Sequence, residues 1–153
     1  MRGARRGHRP GMKCVLDAGV IVKWLLRYAG SEPHTATALS LMEAVAGGDV
    51  QVLQRPHWLV EVAAVMARLS PATLATDLRD LHALDFDVAE SLAVYRRAAH
   101  LPVKPHQHVF DTLYHAVALE SPGCTLITAD LRYLRKAAAQ GRIASLKRWR
   151  NAG

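Results

Sequence analysis

No apolar run in this sequence approaches the ~20 residues that a membrane-crossing helix needs, which argues against a spanning segment. The first residues are basic, but no apolar core of the signal-peptide kind follows them, so export is not indicated. Cysteine is scarce. Cys14 and Cys124 give neither a metal-type pair nor a disulfide framework, and read most simply as buried thiols in a reducing compartment. A glycine-rich phosphate loop, a base-reading module and an aromatic platform are all missing. The sequence therefore does not say which RNA or other nucleic acid it meets, if it meets one. Internal repeats are lacking too, as is any linker long enough to divide the chain.

What is present is an ordinary globular composition with a basic balance. Half of the 153 residues are hydrophobic and 22% are charged, enough for one domain with its own core. The formal charge of +7 invites a nucleic-acid partner. Arg2, Arg5, Arg6 and Arg9 lie in a Gly/Arg-rich opening with almost nothing apolar to pack. Residues 1–11 are thus expected to be a disordered basic arm, or the product of an upstream start with Met12 as the natural one. Without those four arginines the charge falls from +7 to +3, so charge supports an RNA partner without establishing one.

From Met12 onward, short apolar runs alternate with helix-compatible segments. Lys13–Leu16, Val50–Leu53, Thr125–Thr128 and Ile143–Leu146 read as strands, with a weaker one over Leu84–Phe86. Helices are predicted over Ala18–Tyr28, Thr35–Val45, His57–Leu69, Ser70–His82, Ala89–His100, Val109–Glu120 and Leu131–Ala139. Ser70-Pro71 is the expected start of the fourth, with Ser as N-cap. This alternation predicts an α/β domain over residues 12–153, a central parallel sheet between two layers of helices.

Four acids stand out. Asp17 ends the first strand and Asp130 follows the strand Thr125–Thr128. Ligands of open parallel sheets bind beyond the carboxyl ends of the strands, so both point to one crevice. Glu61 and Asp111 are conspicuous for another reason. From Trp58 to Leu69 every residue but Glu61 and Arg68 is apolar, which predicts a helix buried nearly all round. Asp111 is likewise the only formal charge between Val109 and Leu119. A desolvated, unpaired carboxylate costs several kcal/mol. Arginine partners could offset that, but the apolar helices offer few. A shared divalent ion answers all four acids at once, and clustered carboxylates suit Mg²⁺ or Mn²⁺. The plainer alternative satisfies individual acids by N-caps or salt bridges.

The same acids fall in four blocks: VLDAGVIVKW (Val15 to Trp24), PHWLVEVAAVM (Pro56 to Met66), FDTLYHAVAL (Phe110 to Leu119) and LITAD (Leu126 to Asp130). In this order, with one acid each, they resemble the PIN-domain nucleases and, among them, the VapC-type toxins of toxin–antitoxin pairs. The resemblance covers nearly the whole chain from Met12. It implies a three-layer PIN-like fold, Mg²⁺- or Mn²⁺-dependent endoribonuclease activity, and a cytoplasmic homodimer restrained by a small cognate antitoxin. By position, Asp17, Glu61, Asp111 and Asp130 match the acidic quartet that holds the metal. Thr128 matches a hydroxyl that orients a water or a ligand. Two positions depart: Gly19 stands where the family often has Ser or Thr, and Ala64 where it often has Asn. Neither departure removes a carboxylate.

Lesser candidates surround these blocks. His115 has ligand spacing from Asp111 but is read as packing near the site, and His106 and His108 as a solvated loop. Lys23, Lys104 and Arg132 are the candidate phosphate contacts. Trp24 and Trp58 are expected in the core rather than against a base. Asp77, Arg79 and Asp80 form a wet helical face, and Asp85 and Asp87 are structural. The tail Lys147-Arg148-Trp149-Arg150 is either a contact for RNA or antitoxin or a solvated terminus. Three rival readings remain. A phospho-receiver module lacks its paired acids here. A PIN-like domain that binds RNA or protein without cutting is left open by Gly19 and Ala64. The third is a scaffold that only docks an antitoxin.

Overall fold

The computed structural model describes residues 11–26, 33–103 and 109–151, excluding the side chains of residues 109–111. Apart from Gly11, the expected N-terminal arm lies outside the described residues, as do Lys104, His106 and His108.

Five strands build one parallel sheet: β1 (Met12–Leu16), β2 (Val50–Gln54), β3 (Asp87–Val88), β4 (Cys124–Thr128) and β5 (Ile143–Ser145). Their order is β3-β2-β1-β4-β5, with every pairing parallel. The central strands β1 and β4 are almost wholly apolar because both of their faces are covered. Seven helices flank the sheet: α1 (Ala18–Leu25), α2 (Thr35–Ala46), α3 (Trp58–Leu69), α4 (Leu74–Ala83), α5 (Leu92–His100), α6 (Val109–Glu120) and α7 (Leu131–Ala137). The expected α/β fold is the observed one.

The chain steps outward from β1 to β2 to β3, then crosses back to place β4 on the far side of β1. With this strand order, the right-handed rule for parallel crossovers assigns α1 to α4 to one face and α5 to α7 to the other, and α1 packs on α2 and α3, α3 on α4, and α5 on α6 accordingly. The reversal between β1 and β4 is a topological switch point, where an open α/β sheet leaves a crevice at its carboxyl edge. Asp17 and Asp130 flank that point.

Helix α6 is the central helix. From Thr112 to Ala118 every residue is buried, and it packs on β1, β2 and β4. Helix α3 behaves differently from its sequence. It buries Trp58, Val62 and Met66, one face at four-residue spacing, and leaves Val60 65% and Leu69 55% exposed. Apolar composition did not make it a fully buried helix, because among the described residues its main helical neighbours are α1 and α4, and they cover one face.

Other boundaries shift by a few residues for local reasons. Ser70 closes α3 instead of opening α4, its N–H donating to the carbonyl of Met66 (2.8 Å). The weak strand lies at Asp87–Val88, two residues beyond its expected end, after Asp85 takes a left-handed conformation (φ 49°). Helix α5 starts late because Ser91 caps it, accepting the N–H of Val94 (3.1 Å). Both cysteines are buried, unbridged thiols. Burial, with Cys124 nearby, pushes Cys14 up to about 12.

Candidate active site

Asp17 is the first residue past β1 and the N-cap of α1. Its Oδ1 accepts the N–H of Val20 (3.0 Å), an orphan donor of the helix start. Its Oδ2 accepts the hydroxyl of Thr128 and the N–H of Ala129 (3.2 Å). Asp130 caps α7 in the same manner, with Oδ1 accepting the N–H of Tyr133 (3.0 Å). Thr128 joins the two, because its Oγ1 also accepts the N–H of Asp130 (3.0 Å). Two carboxylates thus stand on adjacent strand ends with one buried hydroxyl between them.

Burial pushes the Asp17 carboxyl up to about 6 against the three hydrogen bonds that favour its charge, and neighbouring Asp130 adds to the rise. A carboxylate raised by burial and by a like charge is one that a cation would relieve.

Glu61 has a different environment. Arg55, 2% exposed, pairs through Nη2 with Glu61 Oε2, and Tyr114 of α6 donates its hydroxyl to the same oxygen (2.7 Å). The guanidinium lies over the Tyr114 ring, 4.4 Å from its centroid. Its Nη1 donates to the carbonyl of Pro56 (2.9 Å). Glu61 therefore carries a fixed protein counterion. Of the two ways to offset the cost of this acid, an arginine is the one observed for Glu61: the apolar helices supply few, and the cation comes instead from the loop between β2 and α3. The fully buried Gln54, just before it, donates from Nε2 to the carbonyl of Leu16 (3.0 Å), bracing the end of β1 beside Asp17.

Among the described residues no three His, Cys, Asp or Glu side chains stand together as a metal centre requires. Asp17, Glu61 and Asp130 alone are thus not a closed ligand set. Asp111 sits in the first turn of α6, and its side chain lies outside the described residues. The oxygen-only chemistry of Asp17 and Asp130 fits a hard divalent ion.

The four blocks do more than align in order. A family model for the PIN domain matches residues 14–139. The chain belongs to the PIN domain family. Membership gives this PIN domain a nuclease-type function, in a family that generally depends on divalent metal ions. No curated protein matches the chain.

The remaining candidates of this PIN domain resolve in a consistent way. His115 is fully buried and both ring nitrogens are engaged, with Tyr133 Oη (3.0 Å) and the Gly141 carbonyl (2.7 Å). A carbonyl only accepts, so Nε2 carries the proton and Nδ1 accepts the Tyr133 hydroxyl. Burial holds its pKa below the ordinary histidine value, although the Gly141 carbonyl works the other way. His115 is a packing residue. Trp24 and Trp58 are in the core, and Trp149 anchors the tail while Lys147, Arg148 and Arg150 remain exposed. Arg132 is exposed; Lys23 is buried, 7% exposed. Asp80 and Arg79 are solvent-facing, and Asp77 accepts a hydrogen bond from Thr73 (2.7 Å).

A β-carbon at Gly19 would lie 3.4 Å from both Ala129 Cβ and Asp17 Oδ1, an ordinary contact that displaces neither. Ala64 faces solvent on α3. A cavity of about 440 Å³ lies between α5 and the end of α6 around Arg96, Arg97, His100 and Glu120, and none of the four acids lines it. Sequence reasoning missed Arg55, Gln54 and the polar role of Tyr114. The signal for Arg55 was an arginine immediately before the proline that opens an apolar helix with a single acid.

Proposed function

We propose that this PIN domain is a Mg²⁺- or Mn²⁺-dependent endoribonuclease, the toxin of a type II toxin–antitoxin pair working in the cytoplasm. The observation that carries the nuclease reading is the Asp17–Thr128–Asp130 constellation at the switch point of the sheet, with Asp17 raised. The toxin assignment rests on the VapC-like blocks. In this reading Asp17, Asp111 and Asp130 hold the ion, with Glu61 beside them. When bound, the ion supplies Lewis-acid stabilisation of phosphodiester oxygens and eases deprotonation of the attacking water.

The protein's own part is preorganisation. Thr128 fixes both strand-end carboxylates before substrate arrives, and the N–H groups of Val20 and Ala129 keep Asp17 from turning away. Arg55 and Tyr114 lock the rotamer of Glu61, tying α3 to the helix that bears Asp111. Oriented in this way, Glu61 would help align the water. The exposed apolar stripe Val60, Ala64 and Ala67 on α3 supports a homodimer. Antitoxin binding is part of the same proposal, as an inhibitor reaching the acids.

A second reading has a specific observation behind it. Asp17 and Asp130 both serve as helix caps and Glu61 has its own arginine, as a non-cleaving RNA- or protein-binding module would allow. Incubating antitoxin-free protein with labelled total RNA in Mg²⁺, Mn²⁺ or EDTA, beside Asp17→Asn, separates the two. Metal-dependent cleavage lost in the variant supports the nuclease. Absence of cleavage with metal bound supports the second reading, and cleavage surviving both EDTA and the mutation sinks the four-acid argument.

A further inference from the structure

Arg55 and Glu61 lie six residues apart and meet because the chain turns sharply between them. His57 takes a left-handed conformation (φ 63°), which leads the end of β2 into α3 and places Glu61 in the first turn of that helix. The guanidinium is then fixed from several sides. Nη1 donates to the Pro56 carbonyl (2.9 Å), Nη2 pairs with Glu61 Oε2, and the Tyr114 ring centroid lies 4.4 Å from the guanidinium carbon. At 2% exposure this is a permanent interior charge, since arginine does not give up its proton in a protein. We infer that Arg55 is a built-in cation of the site: it stands where a second divalent ion would bind at Glu61, and so limits the centre to one ion, held on the side of Asp17 and Asp130. The inference rests on the metal-dependent nuclease reading and deepens it.

The lone pairs of Glu61 decide the matter. Each oxygen of an ionised carboxylate offers about two acceptor sites. On Oε2 one receives the N–H of Arg55 and the other the hydroxyl of Tyr114 (2.7 Å). That oxygen is filled. Neither contact uses Oε1, but an ion bound there would stand one carboxylate width from a full positive charge. The two cations would repel at short range, in a field that the buried guanidinium sets up partly through low dielectric. Displacing Arg55 is no easier, because a guanidinium that leaves Glu61 stays in the interior without its counter-charge.

The strand-end acids are prepared in another way. Among the described residues, the donors to Asp17 and Asp130 are the Thr128 hydroxyl and backbone N–H groups. Such donors orient a carboxylate without cancelling its charge. The site thus divides its work between neighbouring strands: the acids after β1 and β4 receive the ion, while the arginine after β2 holds Glu61. Glu61 then serves through Oε1 as an acceptor for water and not as a ligand.

The test counts Mn²⁺ bound to the metal-free protein by calorimetry, with free Mn²⁺ followed by electron paramagnetic resonance as a second count. Wild type is expected to bind one ion. Arg55→Met, with Tm and circular dichroism recorded alongside, should bind a second, weaker ion. Adding Glu61→Gln to Arg55→Met should return the count to one. Glu61→Gln alone keeps an acceptor for Arg55 and Tyr114 and should retain the single ion within a few-fold of wild-type affinity, so a result is obtained even where Arg55→Met does not fold. Two ions on wild type, one ion on folded Arg55→Met, or loss of the ion in Glu61→Gln would overturn the role of Arg55 while leaving the nuclease reading intact. A wild-type protein that binds no Mn²⁺ would overturn both.

Discussion

Thr128 donates its hydroxyl to Oδ2 of Asp17 across 111 residues of sequence, joining the ends of two adjacent parallel strands. The Thr128 Oγ1 also accepts the N–H of Asp130, so a single atom sets the relative position of two carboxylates. Thr128→Val keeps the shape and removes the hydroxyl, leaving the Asp130 N–H without this acceptor and Asp17 held only by the N–H groups of Val20 and Ala129. Mn²⁺ affinity, measured by calorimetry, should fall about 10–100-fold with the circular dichroism spectrum retained. Unchanged affinity would show that Thr128 only packs.

The raised Asp17 carboxyl makes stability depend on pH in a defined sense. Burial, then Asp130, push it up to about 6, so between about pH 4 and 6 the folded protein keeps a proton that the unfolded chain has lost. Its contribution to stability therefore falls as pH rises through that window and stays low above it, by about 3 kcal/mol in the metal-free state. Asp17→Asn keeps the N-cap and removes the titration. In EDTA, the Tm difference between variant and wild type should grow from pH 4.5 to 6.5 and then level off. A pH-independent difference would contradict the assignment.

Arg55 and Glu61 are unequally buried, 2% and 37% exposed, and their removal should be unequally costly. Glu61→Ala strands a guanidinium in the interior, a loss of about 3–5 kcal/mol for a broken buried pair. Arg55→Met leaves a carboxylate that can reach water, and should cost about 1.5–3 kcal/mol. Urea unfolding in EDTA decides this. If Glu61→Ala instead stabilises the metal-free protein, its main tension is with the other acids and the arginine clamp is incidental.

Gly19→Ser introduces a hydroxyl beside Asp17 without steric conflict, since its β-carbon meets neighbours only at ordinary contact distance. It also replaces a helical glycine, worth a few tenths of a kcal/mol or more. Tm should rise by a few degrees and Mn²⁺ affinity should increase. Weaker binding would mean that glycine is required there for ligand access.

The reach of sequence and of structure can be separated residue by residue. Strand β1, strand β4 and helix α6 were legible because continuous apolar runs of strand or helix length leave few alternatives, and Asp17 and Asp130 because an acid ending such a run has nowhere to go but the crevice. The blocks also sufficed to point to the PIN family. Local competition blurred the weaker boundaries: Ser70 reads equally as a cap for either neighbouring helix, and only the backbone hydrogen bond to Met66 assigns it. Apolar composition overstated the burial of α3, since burial depends on what packs against each face. The partners of each acid were beyond sequence altogether. Arg55 with Glu61, Tyr114 with Glu61 and Thr128 with Asp17 meet because parallel crossovers bring distant strand ends to one edge of the sheet, and no periodicity along the chain records which side chains arrive there together.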